Sequence, residues 1–184
     1  IAYDSRHFSD VFALNAAKTG KSVAFFSLEM PANQLVERML STVGHVPMEM
    51  IRKMDFNNGR AKNEMIKFED ATRKLSKYNI YIDDTPGARL IDIQAKARKL
   101  KAEKEDLCLI VIDYIGIVTL GNSKITDRQQ IVAEISRGIK SLARELEVPI
   151  IALSQLSRDI EKRKTDSKAP MLSDIRDSGA IEQD

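Results

Sequence analysis

Tryptophan is absent from this 184-residue chain, cysteine occurs once and histidine twice. A lone Cys108 excludes an intrachain disulfide, and its place inside an apolar run predicts a reduced thiol in the core. His7 and His45 stand apart, and nothing in the chain has metal-ligand spacing. A surplus of one charge is missing too. The net charge is +2, so any contact with nucleic acid has to come from local basic patches and not from a field over the whole surface. No apolar run approaches the roughly 18 residues that suggest a membrane helix, and no secretory leader pattern is found, which gives the expectation of a cytoplasmic protein with no membrane partner. Internal repeats and low-complexity tracts are also lacking.

What remains has the composition of an ordinary globular domain. Charged residues make up 30% and hydrophobic residues 43%, over a length sufficient for one full core. The chain opens on Ile1 and stops at Ile181-Glu182-Gln183-Asp184 without a turn or tail, so a piece of something larger is expected.

The most informative stretch is Leu107 to Val118. An unbroken apolar run from Leu107 to Ile112, rich in β-branched residues, leads directly into Asp113. Such a run predicts a strand covered by helices on both faces, as in a parallel α/β sheet. Ligands of open α/β sheets bind at the carboxyl ends of strands. Asp113 therefore has two readings: an acid of Walker B type that holds Mg²⁺ for a nucleoside triphosphate, or a cap for the next loop or helix.

Taken in order, Ile1-Ala2 reads as the end of a strand, Tyr3 to Asp10 as a polar turn, and Val11 to Lys18 as a helix closed by Gly20. Val23 to Phe26 forms a strand, followed by a helix that Pro31 opens and that carries Leu35, Val36, Met39, Leu40 and Val43 on its apolar face. Met65, Phe68, Thr72 and Leu75 mark another helix. Asn79 to Ile82 is a strand, and Leu90, Ile93, Ala97 and Leu100 mark the helix before Leu107. Beyond the polar loop Gly121 to Thr126, Thr126 and Gln129 have capping-box spacing. They precede a stripe of Ile131, Ile135, Ile139, Leu142 and Leu146. Val148 to Leu153 is the last strand, and Ser157 to Lys168 a basic loop. Strands alternating with helices predict a mostly parallel sheet with right-handed crossovers.

Several strands end in a polar residue: Glu29, Asp83, Asp113 and Gln155. At a nucleotide site Glu29 would orient and deprotonate water, Asp113 would hold Mg²⁺, and Gln155 would sense the terminal phosphate. Taken singly, Glu29 is equally an acid favouring a helix N-terminus, and Gln155 a solvated loop amide. Their coincidence favours the site. Thr19-Gly20-Lys21-Ser22 is not the phosphate loop, because it follows a helix and precedes a strand, and Asn15 stands where the first glycine belongs.

Blocks spread over nearly the whole chain resemble the ATPase domain of DnaB-type replicative DNA helicases. They include Phe25 to Met30, Ile80 to Gly87, Ile110 to Tyr114, Asp127 to Gln130, Ile135 to Arg137, Leu142 to Leu146, Val148 to Arg158 and Pro170 to Gly179. The resemblance implies a RecA-like P-loop ATPase fold, with residues 1–184 as one motor domain cut short at both ends. It also implies a homohexameric ring that uses ATP and Mg²⁺ to move 5′→3′ on single-stranded DNA, with primase and helicase loader as partners. It assigns Glu29 as catalytic base, Asp113 as the Mg²⁺-site acid and Gln155 as phosphate sensor. Arg38 matches an arginine close to nucleotide, and Arg176, Asp177 and Gly179 match a loop on the DNA backbone. Arg176 by itself reads equally as a surface charge paired with Asp174 or Asp177. A loop that tracks backbone suits movement regardless of sequence, since phosphate contacts carry no base information.

One departure is local and severe. The family's Gly-Lys-Thr falls by count on Phe8-Ser9-Asp10, so Ser9 holds the lysine's position in place only. The charge that meets the β- and γ-phosphates is missing, a phenylalanine replaces the glycine, and Asp10 adds a repelling charge. The competing expectation is a catalytically inert homologue that binds DNA or regulates a helicase ring. Retention of Glu29, Asp113 and Gln155 weighs against it. Ile115-Gly116 is a second departure, standing where relatives carry Leu-Gln.

Overall fold

The apolar run at Leu107 becomes an inner strand of a parallel sheet. In the computed structural model, which describes residues 5–54, 61–121 and 125–155, β1 (Ser22–Ser27), β2 (Ile80–Asp83), β3 (Leu107–Asp113) and β4 (Ile150–Ala152) lie in the order β2-β1-β3-β4. Every pairing is parallel. Helix α1 (Ser5–Ala17) precedes β1, and α2 (Ala32–Gly44), α3 (Met48–Lys53) and α4 (Ala61–Leu75) connect β1 to β2. Helix α5 (Leu90–Glu103) leads into β3, and a single 3-10 turn (Ile115–Ile117) and α6 (Arg128–Leu146) lead on to β4. This is the parallel α/β architecture expected from the alternation of patterns.

Helices cover both faces, which is why the inner strands have no polar side. Ala24 and Phe26 of β1, with Ile110 and Ile112 of β3, pack under Ile93 and Ala97 of α5 and Ile135, Ile139 and Leu142 of α6. Their neighbours Val23, Phe25, Leu109 and Val111 pack under Ala13, Leu14 and Ala17 of α1 and Leu35 and Met39 of α2. Strand parity breaks once. Ser22 pairs with Leu107 but Val23 pairs with Leu109, so Cys108 is an extra residue on β3. This bulge lets Leu107 share a face with Ile110 and Ile112. It also corrects the expectation for Cys108, which is a free but half-buried thiol at the bulge and not a fully enclosed core residue.

Other expectations change at their edges. The segment 5–10, expected as a turn, is helical, and α1 begins at Ser5 instead of Val11. No proline or glycine interrupts it, and Ser9 and Asp10 are buried against the rest of the fold. The N-cap of α6 is Asp127, whose carboxylate accepts from Gln129 N at 3.2 Å, and not Thr126. The Asp side chain one residue on reaches the same orphan donors. Strand β4 is confined to Ile150–Ala152 because pairing with β3 stops there, although Leu153 N still donates to Ile112 O at 3.0 Å. The expected strand at Ile1-Ala2 and the loop Ser157 to Lys168 lie outside the described residues. Among the described residues no helix is long and apolar enough to cross a membrane.

A parallel sheet brings every strand's carboxyl end to one edge. Helix α1 adds to that edge from the opposite direction. Its last residue, Ala17, connects to β1 through the short link 18–21, and its 13 residues span about 20 Å at about 1.5 Å per residue. The first half of α1 therefore lies at the carboxyl edge.

Candidate functional site

Asp113 closes β3 directly beside Ser27, the last residue of β1, and both are buried, with 6% and 3% exposure. Leu28 N donates to Asp113 O at 2.8 Å, so the chain leaving β1 is tied to the end of β3. The peptide that follows, Asp113-Tyr114, is cis. Ser27 Oγ donates to Met30 O at 2.7 Å and folds Ser27 to Met30 into a tight turn that leaves Glu29 exposed. Glu29 and Asp113 thus project from adjacent strand ends.

Gln155 reaches the same edge from β4. Ile115 N donates to Leu153 O at 3.0 Å, which sets the exit of β4 against the exit of β3. Between them lies a cavity of about 440 Å³ bordered by Tyr114, Gly116, Arg128, Ser154 and Gln155. The sequence offered no reason for Gly116, and the structure supplies one. A Cβ there would lie 2.6 and 2.9 Å from ring atoms of Tyr114, so the Tyr114 ring occupies the space of a side chain. Arg128 donates a hydrogen bond to Gly116 O across the same cavity.

Arg38 of α2 faces α1. Its guanidinium pairs with Asp10 at 2.5 Å, with side-chain exposures of 12% and 0%, and its other terminal nitrogen lies 2.9 Å from Met30 Sδ. One arginine therefore links the first half of α1 to the turn after β1. Sequence reasoning placed Arg38 near the site and identified Asp10 as a misplaced charge, but did not pair them. Nothing in the spacing of residues 10 and 38 signals that contact, which exists only because α1 and α2 pack on the same face.

Asp83, grouped with the edge acids by position, serves the scaffold. Lys96 lies 2.5 Å from its carboxylate, and Thr85 N donates to it at 3.0 Å. Burial pushes this carboxyl up, but the Lys96 and Thr85 hydrogen bonds and the Lys96 charge outweigh it and hold Asp83 below its ordinary value. Its neighbour Asp84 accepts from Ala32 N at 2.8 Å and so caps α2. Arg176, Asp177 and Gly179 lie outside the described residues.

Tested against a magnesium-bound triphosphate, the two halves of the edge give different answers. The strand half fits. Magnesium is commonly held by one or two carboxylates together with substrate phosphates and water, and Asp113 beside Ser27 offers that minimal donor set. Among the described residues no group of three or more His, Cys, Asp or Glu side chains forms a self-sufficient metal cage. The α1 half, as arranged here, does not fit. Ser9 brings no cation, and the Asp10 carboxylate already occupies Arg38.

Comparison with known proteins supplies the lineage. The profile described as the DnaB-like helicase C terminal domain matches residues 6–184. The replicative DNA helicase DnaB of Geobacillus stearothermophilus is 50% identical over 178 residues, covering 94% of this chain. The replicative DNA helicase DnaC of Bacillus subtilis is 49% identical over the same length. The chain spans 38% of the length of each of these two relatives. Among solved structures, one ATPase domain superposes with a TM-score of 0.87 at 33% identity, covering 97% of this chain and 61% of that one. A DnaB-like replicative helicase, described with its interactions with primase, gives 0.85 at 34% identity, covering 96% of this chain and 41% of that one. The sheet and its helices are thus those of a RecA-like ATPase domain, and the chain belongs to the DnaB-like helicase C-terminal domain family.

Proposed function

We propose that this chain is the motor domain of a replicative DNA helicase, which moves 5′→3′ along single-stranded DNA as a cytoplasmic homohexameric ring and unwinds duplex at the fork. The observation that carries the reading is Asp113, a buried acid at the carboxyl end of an inner strand, in a chain half identical to replicative helicases. That identity, with Glu29 and Gln155 retained at the same edge, supports a motor over an inert homologue.

ATP bound with Mg²⁺ would supply the free energy of the stroke. Within the chain, Asp113 would hold the metal, and the tight turn built by Ser27 presents Glu29 where it would orient and deprotonate water. Gln155, tied through the backbone of its neighbours to the exit of β3, reports the state of the terminal phosphate to β4 and the chain beyond it. Arg38 would contribute a cation to the phosphates only when parted from Asp10, and Arg176, Asp177 and Gly179 would meet the DNA backbone. Primase and a helicase loader are the protein partners that fit this role.

The test is unwinding of a forked duplex with a 5′ tail by the full-length protein, at saturating Mg²⁺-ATP. Wild type unwinds and hydrolyses ATP faster when single-stranded DNA is added. Asp113→Ala forms the same ring but does neither. Well-assembled wild-type rings without hydrolysis at any ATP concentration refute the motor reading.

A further inference from the structure

We infer that Asp10 is an internal competitor for nucleotide phosphate, and that the ion pair between α1 and α2 has to open before the site holds a polyphosphate. The inference rests on the motor reading above and adds a regulatory property to its site. Three features carry it.

The first is burial. Asp10 is fully enclosed, in a helix whose first half lies at the strand-end edge where ligands of such sheets bind. An ionised carboxylate is costly to bury without a cation, so its place is stabilised by what it pairs with. The second is the partner. Arg38 is 2.5 Å from the Asp10 carboxylate and 2.9 Å from Met30 Sδ, on the turn that leads away from Ser27 and Asp113. Its guanidinium is thus a cation anchored at the exit of β1, and Asp10 holds it. Carboxylate and phosphate oxygens are equivalent acceptors for an arginine fork, so the two compete for one donor set. The third is the missing lysine. With Ser9 at that position, residues 8–10 of α1 add no cation to offset Asp10, and any phosphate approaching them meets a negative charge that must first part from Arg38.

The competition predicts weak nucleotide binding that is strengthened by neutralising Asp10. The experiment uses full-length protein and a fluorescent Mg²⁺-ADP analogue, with hexamer assembly measured in parallel. Asp10→Asn and Asp10→Thr each bind about tenfold tighter than wild type, the scale of one charge-assisted contact regained. Asp10→Asn/Arg38→Met loses that gain. In steady-state hydrolysis, Asp10→Asn lowers KM while kcat stays within about twofold, because a competitor is removed and the chemistry is untouched. Equal affinities for wild type and two folded Asp10 variants overturn the proposal and leave the motor reading standing. A second measurement needs no variant. Saturating wild type with Mg²⁺-ADP changes backbone hydrogen exchange in residues 8–11 of α1 and 34–38 of α2; saturation with no change in either segment also overturns it. If hexamers form but neither wild type nor any Asp10 variant binds Mg²⁺-ADP at millimolar concentration, the nucleotide reading falls as well.

Discussion

The pair between Asp10 and Arg38 has an energetic asymmetry that a double-mutant cycle can measure. Arg38 keeps 12% side-chain exposure and Asp10 none. Removing the cation with Arg38→Met deprives an enclosed carboxylate of the charge that stabilises it, a loss of about 3–5 kcal/mol for buried pairs. Removing the anion with Asp10→Asn leaves a guanidinium that is part-exposed and can turn towards water, so the cost is smaller, about 1–3 kcal/mol. The double variant leaves no buried charge in the pair and costs about as much as Asp10→Asn alone. The coupling energy is therefore the whole Arg38→Met cost, about 3–5 kcal/mol, well above the few tenths found between independent sites. For a chain of 184 residues, about 2–4 °C of Tm per kcal/mol applies. Arg38→Met should then fall by about 6–20 °C, with the double variant recovering about half of that loss. Urea unfolding and calorimetry both read it. Additive single effects, or Arg38→Met within about 2 °C of wild type, refute the claim that the pair stabilises the junction of α1 and α2.

Three smaller predictions follow from contacts at the same edge. Gly116→Ala places a Cβ 2.6 Å from the Tyr114 ring and should cost about 1–3 kcal/mol, measured by thermal denaturation, with Tyr114→Leu restoring most of it. Asp84→Ala removes the acceptor for Ala32 N and should cost about 1 kcal/mol in urea unfolding, while Asp84→Asn costs less. Asp83 has its carboxyl held below the ordinary 3.8, so its contribution is complete above that pH and is lost as pH falls through the lower folded value. The Tm difference between wild type and Asp83→Asn should therefore be constant near neutrality and shrink only on the acid side; a difference that shrinks towards alkaline pH would contradict the Lys96 pairing.

Much of the fold was legible because its signals are local. The run at Leu107 to Ile112 states that both faces are covered, and the stripes at Leu35/Met39, Ile93/Ala97 and Ile135/Ile139/Leu142 state which helix faces do the covering. A strand that ends in Asp113 likewise places an acid at the ligand edge of a parallel sheet. What stayed hidden was tertiary. Residues 5–10 carry no apolar stripe of helical spacing, and the burial of Asp10 against Arg38 joins positions far apart in sequence. The Cys108 bulge breaks a parity that an all-apolar run cannot display. Gly116 made sense only once the Tyr114 ring was seen to fill the space beside it.

The extra residue at Cys108 also acts as a buffer between the two ends of β3. Whatever happens to the turn before Leu107, through a change in its length or in the pitch of the incoming helix, can be taken up at that one unpaired step. Val23 to Ser27 stay locked one-to-one with Leu109 to Asp113 beyond it. The aim of the Asp113 carboxylate is thereby insulated from drift at the far end of the sheet.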